Sequence, residues 1–263
     1  MFHVKHFALC FDTQYKNMLN EAQFKNKYIE IFNQNGLTDF CTDEIITKMR
    51  QMADYMLEVN QHMNLTAITE PTEVIAKHLA DCVLAAKYIP EGAAVCDIGC
   101  GGGFPSLPLA IARPDITILG VDSTEKRINY VNESAKRLEL TNLKAICGRA
   151  EELGNTELRE SFDICIARAV ANLPILAELC IPFAKVGGRF VAMKGGITDE
   201  EIELSLSACK KLGAEAPNDS NINRLSLIFE GNSEERAIVC LKKQTTTPSK
   251  YPRNYSQIKK KPL

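Results

Sequence analysis

The sequence has no apolar run long enough to span a membrane, and Met1 to Cys10 lacks the apolar core of an export signal. It also has no C-x-x-C pair: its ten cysteines are scattered, the closest two being Cys96 and Cys100. These absences argue against a disulfide framework and against zinc. The cysteines then read as small buried apolar residues of a reduced, cytoplasmic, metal-free protein. Without an export signal, the N-x-S/T matches at Asn64, Asn132 and Asn218 carry no weight as glycosylation sites. Histidine is scarce; His3, His6, His62 and His78 form no evident catalytic set, and His78 reads as a structural hydrogen-bonder. No internal repeat is visible.

What is present is ordinary for a globular chain: 45% apolar and 24% charged residues over 263 positions, enough for one α/β domain with an accessory segment. The net charge of −2 hides an asymmetry, because Leu241 to Leu263 holds seven basic residues and no Asp or Glu. The remainder is therefore acidic, at about −9. A basic tail on an acidic body reads either as a hand for a polyanion or as a solvated end.

Apolar spacing predicts helices over Phe24 to Phe32, Asp43 to Val59 and Glu73 to Tyr88, the last amphipathic. Thr42 is placed to cap the second. From Ala93 the pattern alternates. Strands are expected at Ala94 to Ile98, Thr117 to Val121, Lys144 to Cys147, Phe162 to Ala167 and Gly188 to Met193. Helices are expected at Phe104 to Ala112, Glu125 to Leu140, Ala171 to Phe183 and Asp199 to Leu212. Two further strands, Arg224 to Glu230 and Arg236 to Lys242, flank a short turn at Gly231-Asn232-Ser233 and must be antiparallel. The expectation is an α/β fold: a seven-stranded, mostly parallel sheet with one reversed edge strand, as in Rossmann-like class I methyltransferases. The chain divides into an arm over 1–17, a helical accessory segment over 18–92, a cofactor-binding core over 93–243 and a basic tail over 244–263.

The first strand runs into Asp97-Ile98-Gly99-Cys100-Gly101-Gly102-Gly103-Phe104. Such a turn lets backbone approach a ligand closely, with Gly99, Gly101 and Gly103 free of any Cβ. The dinucleotide fingerprint needs Gly where Phe104 stands, and the Lys-Ser/Thr of a triphosphate loop is missing. Asp97, two residues before the first Gly, suits the cationic S-adenosylmethionine and repels a pyrophosphate. Asp122 ends the next strand, where an acid can accept hydrogen bonds from both ribose hydroxyls, or cap a helix. Ala150 and Glu151 are expected to border the adenine, while Glu152 reads as a first-turn acid. Arg168 is expected at the mouth of the cleft, and Lys194 ends the fifth strand.

Several stretches, in order, resemble the glucose-inhibited division protein B family. They are Asn64-Leu65-Thr66-Ala67-Ile68, Lys77-His78-Leu79-Ala80-Asp81, Asp97 to Leu109, Gly148 to Glu152, Ala167-Arg168-Ala169 and Met193-Lys194-Gly195. The resemblance covers about Asn20 to the carboxyl terminus. It implies an S-adenosylmethionine-dependent enzyme that methylates guanine N7 in 16S ribosomal RNA, with cofactor contacts on Gly99, Phe104, Ala150, Glu151 and Arg168. It also implies an RNA-binding tail, where Lys250, Arg253, Lys259, Lys260 and Lys261 are the candidate phosphate contacts. Two residues depart from the family pattern, Cys100 for Ser or Thr and Ser106 for Gly, and the tail carries Ser256 and Ile258 for Gly and Pro.

Guanine N7 has a lone pair and no proton, so no general base is expected and no catalytic residue is assigned beyond the rim candidates Arg168 and Lys194. Loss of Arg168 is expected to cost turnover more than stability. The expected partner is 16S ribosomal RNA or the small-subunit particle, met by a monomer. A small-molecule methyltransferase would need no basic tail, and a non-catalytic RNA-binding module would need no glycine turn. Residues 1–17 show no sustained period. Met1 to His6 can be encoded by ATGTTTCACGTGAAACAT, which is its own reverse complement, so this arm can be the imprint of a DNA-binding site and dispensable to the fold.

Overall fold

The computed structural model describes residues 19–168 and 170–263, so the expectations for the arm over 1–17 lie outside the described residues. Helix α1 (Glu21–Gln34) opens on a capping box in which Asn20 and Gln23 exchange hydrogen bonds. Helix α2 (Asp43–Met63) is capped by Thr42, as its sequence predicts, and runs four residues past Val59 to a left-handed Asn64. Their apolar stripes close over the sheet and share one core with it.

The third helical stretch corrects the expectation. Residues 71–83 run from an α-helical turn at Pro71–Glu73 through a π-helix at Val74–Ala80 to a turn at Asp81–Val83. It is not amphipathic: between Val74 and Ala86 only Lys77 keeps appreciable contact with solvent. A helix wrapped on all sides by the sheet and by α1 cannot have a wet face, and its polar residues are instead paired.

The strands are β1 (Ala94–Ile98), β2 (Thr117–Asp122), β3 (Leu143–Cys147), β4 (Phe162–Arg168), β5 (Ala184–Lys194), β6 (Ile222–Phe229) and β7 (Asn232–Lys242). They form one sheet in the order β3-β2-β1-β4-β5-β7-β6. Only β7 is reversed, and it is not an edge strand: it pairs antiparallel with both β5 and β6. The hairpin turn is Glu230-Gly231, one residue earlier than expected; both have positive φ (48° and 75°), and Phe229 faces Asn232 across it. Such a two-residue turn matches strand twist, which sets the register. Helices α3 (Ser106–Ala112) and α4 (Glu125–Arg137) cover the face shared with α1 and α2. The short α5 (Ala150–Leu153) follows β3, and α6 (Leu173–Cys180) and α7 (Asp199–Leu212) cover the other face. No described helix is long and apolar enough to cross a membrane.

The tail is an ordered strap. Lys243, 1% exposed at its root, donates to the carbonyls of Ile181 and Ala184 and to Thr247, and pairs with Glu160. Arg159 donates to the carbonyls of Tyr251, Thr247 and Pro248. The strap ends in α8 (Tyr255–Lys260), whose Ile258 is fully buried. Burial of Tyr251 and Ile258, invisible in the charge count, holds it down.

Candidate active site

The strand order reverses between β1 and β4, so the carboxyl ends of β1 to β4 open onto the crevice where doubly wound sheets bind ligands. Asp97 to Phe104, Asp122, Ala150, Glu151 and Arg168 all stand at this edge. Gly99 has φ +75° and Gly103 has φ +86°. A Cβ on Gly99 would lie 2.6 Å from Val170 Cγ2, and one on Gly103 would run into Leu107. The amides of Gly99 and Cys100 donate to the Val121 carbonyl (2.7 and 3.0 Å), which ties the turn to β2.

Asp122 is the second tie. Its Oδ2 accepts from the Gly101 amide (3.1 Å) and its Oδ1 from the Thr124 amide (2.8 Å). It does not cap α4, whose N-cap is Thr124. Each oxygen keeps a lone pair for a further donor, and the residue is 9% exposed at the crevice edge.

Asp97 is fully buried. Its Oδ2 accepts from the Ser106 hydroxyl, and its Oδ1 has no hydrogen-bond donor among the described residues. Burial pushes its carboxyl up to about 7 against the favourable contact with Ser106. An unpartnered buried carboxylate oxygen beneath a glycine turn fits a cationic ligand. Ser106, one of the departures from the family pattern, thus satisfies half of the acid. The sequence alone offered no sign of this.

The accessory helices reach the turn through Phe104. The His78 ring stacks on it at 4.3 Å between centroids, and the Arg168 guanidinium lies 5.3 Å from the same ring centre. Burial first, then the nearby Arg168 charge, lower the His78 pKa to about 3, so the imidazole is neutral at neutral pH. Arg168 faces Nδ1 and can only donate, so Nε2 carries the proton and donates to Thr66 Oγ1 at 2.7 Å. His78 is thus the hydrogen-bonder its sequence context suggests.

Arg168 itself donates to the Lys77 carbonyl (2.8 Å) and to Asp81 (3.1 Å), whose other oxygen accepts from Arg236 (2.8 Å). It stands on the accessory-helix side of β4 rather than free at the mouth of the crevice. Lys194, the other rim candidate, pairs with Glu201 at 2.8 Å and donates to the Ala171 carbonyl, so its charge is already met. In the tail, Arg253 grips the fully buried Glu178 with Nε and Nη2 (2.8 and 2.6 Å), while Lys250, Lys259, Lys260 and Lys261 are exposed. Arg253 is therefore corrected from a phosphate contact to a structural clamp: a two-pronged pair with a buried acid holds its guanidinium. Among the described residues no group of His, Cys, Asp or Glu could hold a metal ion.

A sequence profile of the GidB family, described as rRNA small subunit methyltransferase G, matches residues 45–250. The ribosomal RNA small subunit methyltransferase G of Bacillus cereus is 45% identical over 248 residues, covering 93% of this chain and 99% of that protein. The protein of that name from Oceanobacillus iheyensis is 46% identical over 211 residues, 79% of this chain and 87% of its own. Among solved structures, the YcgJ protein of Bacillus subtilis aligns with TM-score 0.50 at 15% identity, over 64% of this chain and all of that one. TYW2 of M. jannaschii, solved in complex with AdoMet, aligns with TM-score 0.50 at 17% identity, over 62% and 74%. These two share the fold.

Proposed function

The chain belongs to the GidB family, rRNA small subunit methyltransferase G, and from that premise we propose how its crevice transfers a methyl group from S-adenosylmethionine to N7 of a guanine in 16S ribosomal RNA. It is an S-adenosylmethionine-dependent methyltransferase of small-subunit ribosomal RNA. The observation that carries the reading of the site is the buried, unpartnered Oδ1 of Asp97 under the Gly99 to Gly103 turn.

The residues divide the work by charge and shape. Asp97 Oδ1 accepts the ligand's ammonium, and the bare backbone of the turn lets the amino-acid end approach closely. Asp122 uses its remaining lone pairs for the ribose hydroxyls, while Ala150 and Glu151 border the base. Phe104, clamped by His78 and Arg168, is the fixed apolar wall of the pocket. The bound cofactor supplies a methyl group on a sulfonium, already a good leaving group. Because guanine N7 has no proton to lose, the protein needs no base there and its task is orientation, which in general supplies about 7–11 kcal/mol. The exposed lysines of the strap contact RNA phosphates. We assign 93–243 to the methyltransferase core, 18–92 to the accessory segment that backs Phe104, and 244–263 to the strap, in a cytoplasmic monomer.

Mass-spectrometric mapping of 16S ribosomal RNA from cells with and without the protein tests this. The expected result is loss of one 7-methylguanosine. An unchanged content of that nucleoside overturns the substrate assignment.

A further inference from the structure

One cation at the crevice edge is only half used. Arg149, two residues past the end of β3, donates from Nε to Glu151 Oε1 at 3.0 Å, and that is its guanidinium's only hydrogen bond among the described residues. Glu151 is a tenth exposed, so the pair sets where its carboxylate stands. The same guanidinium lies over the ring of Tyr255, the first residue of α8, with Cζ 4.7 Å from the ring centre. The side chain is 42% exposed, which leaves its remaining donors in solvent. Lys259 follows Tyr255 by four residues on the same helix, hence on the same side, and is exposed. One cation therefore lies over the Tyr255 ring and a second shares its side of the helix, beside the stretch where Ala150 and Glu151 border the base.

We propose that Arg149 is a shared residue: Nε holds Glu151 for the cofactor while its outward nitrogens, together with Lys259, take one phosphate of the RNA. Tyr255 is the positioning residue that keeps the guanidinium plane in place for both. The proposal rests on the reading of Glu151 as a cofactor neighbour. Its consequence is linkage. A phosphate on the free edge of Arg149 fixes the group that fixes Glu151, so RNA and cofactor strengthen each other's binding by the same factor.

The test measures affinity for small-subunit particles from cells lacking the protein, with and without saturating S-adenosylhomocysteine, and cofactor affinity by calorimetry. In the wild type the cofactor product tightens particle binding by about three- to tenfold, a modest coupling. Arg149→Ala weakens both ligands by a similar factor and abolishes the coupling, and Tyr255→Ala abolishes the coupling in a protein that still folds. Tyr255→Phe, which keeps the ring, restores it. Unchanged coupling in a folded Arg149→Ala protein overturns the proposal. A Glu151→Ala protein with unaltered cofactor affinity removes its premise instead, so the two failures are told apart.

Discussion

At the scale of single residues, Asp97 sets the pH response of the site. Its carboxyl, raised to about 7 from 3.8 in an unfolded chain, holds its proton more tightly when folded. The folded state therefore loses stability as pH rises from about 4 to about 7, and the burial of this acid works against the fold. Ligand binding runs the other way, because an ammonium needs the ionised acid. An α-amino group titrates near 8. Cofactor affinity is therefore expected to peak between about pH 7 and about 8 and to fall up to tenfold per unit below that window. Asp97→Asn should weaken binding and flatten the acid limb, as titration calorimetry across pH would read; an unaltered acid limb sinks the assignment. Gly99→Val, at φ +75° and against Val170, should weaken binding at least tenfold in a folded protein.

At the scale of elements, the strap departs furthest from its sequence reading. Its charges suggested a hand for RNA or a solvated end, yet Lys243 and Arg253 both serve inside the protein. Arg253→Ala leaves the buried Glu178 with the main-chain amide of residue 253 but no charged partner, and is expected to cost about 3 kcal/mol, or a fall in melting temperature of about 6–12 °C. Glu178→Ala should cost about half as much, because Arg253 is a fifth exposed and can turn to water. Equal and negligible costs in thermal melts would show the clamp to be idle. Truncation after Leu241 destabilises the protein and cannot isolate RNA binding. Lys250, Lys260 and Lys261 changed together to Ala can: each lost phosphate contact lowers the slope of log affinity against log salt by about 0.7.

At the scale of the whole molecule, the accessory helices and the sheet meet in the series Phe104, His78, Arg168, Asp81, Arg236. Asp81 is held by two guanidiniums, both largely buried, so removing Arg168 leaves its Oδ2 and the Lys77 carbonyl without their donor while Arg236 still pairs with Oδ1. The expected cost of Arg168→Ala is about 1.5–3 kcal/mol in stability together with about tenfold to a hundredfold in methyl transfer. This revises the expectation that turnover suffers more than stability. Denaturant unfolding of the variant checks it: wild-type stability would return Arg168 to the free rim of the crevice.

The sequence by itself determined the alternation of strands and helices, the cradle from Asp97 to Phe104, and the acid at the end of β2. Local periodicity and a turn that tolerates no Cβ are properties of neighbouring residues, so they are written in neighbouring letters. Boundaries were less legible: β5 begins at Ala184 rather than Gly188, β7 at Asn232 rather than Arg236, and the hairpin turn falls on Glu230-Gly231. Only the tertiary structure decided which charges are free. Lys243 meets Glu160, Arg253 meets Glu178 and Arg168 meets Asp81 across 83, 75 and 87 positions of sequence. Composition counts those side chains as surface charge, but burial beside a distant partner turns each into an internal tie. The same holds for the buried 71–83 run. Its surroundings are supplied by elements that no window of sequence contains.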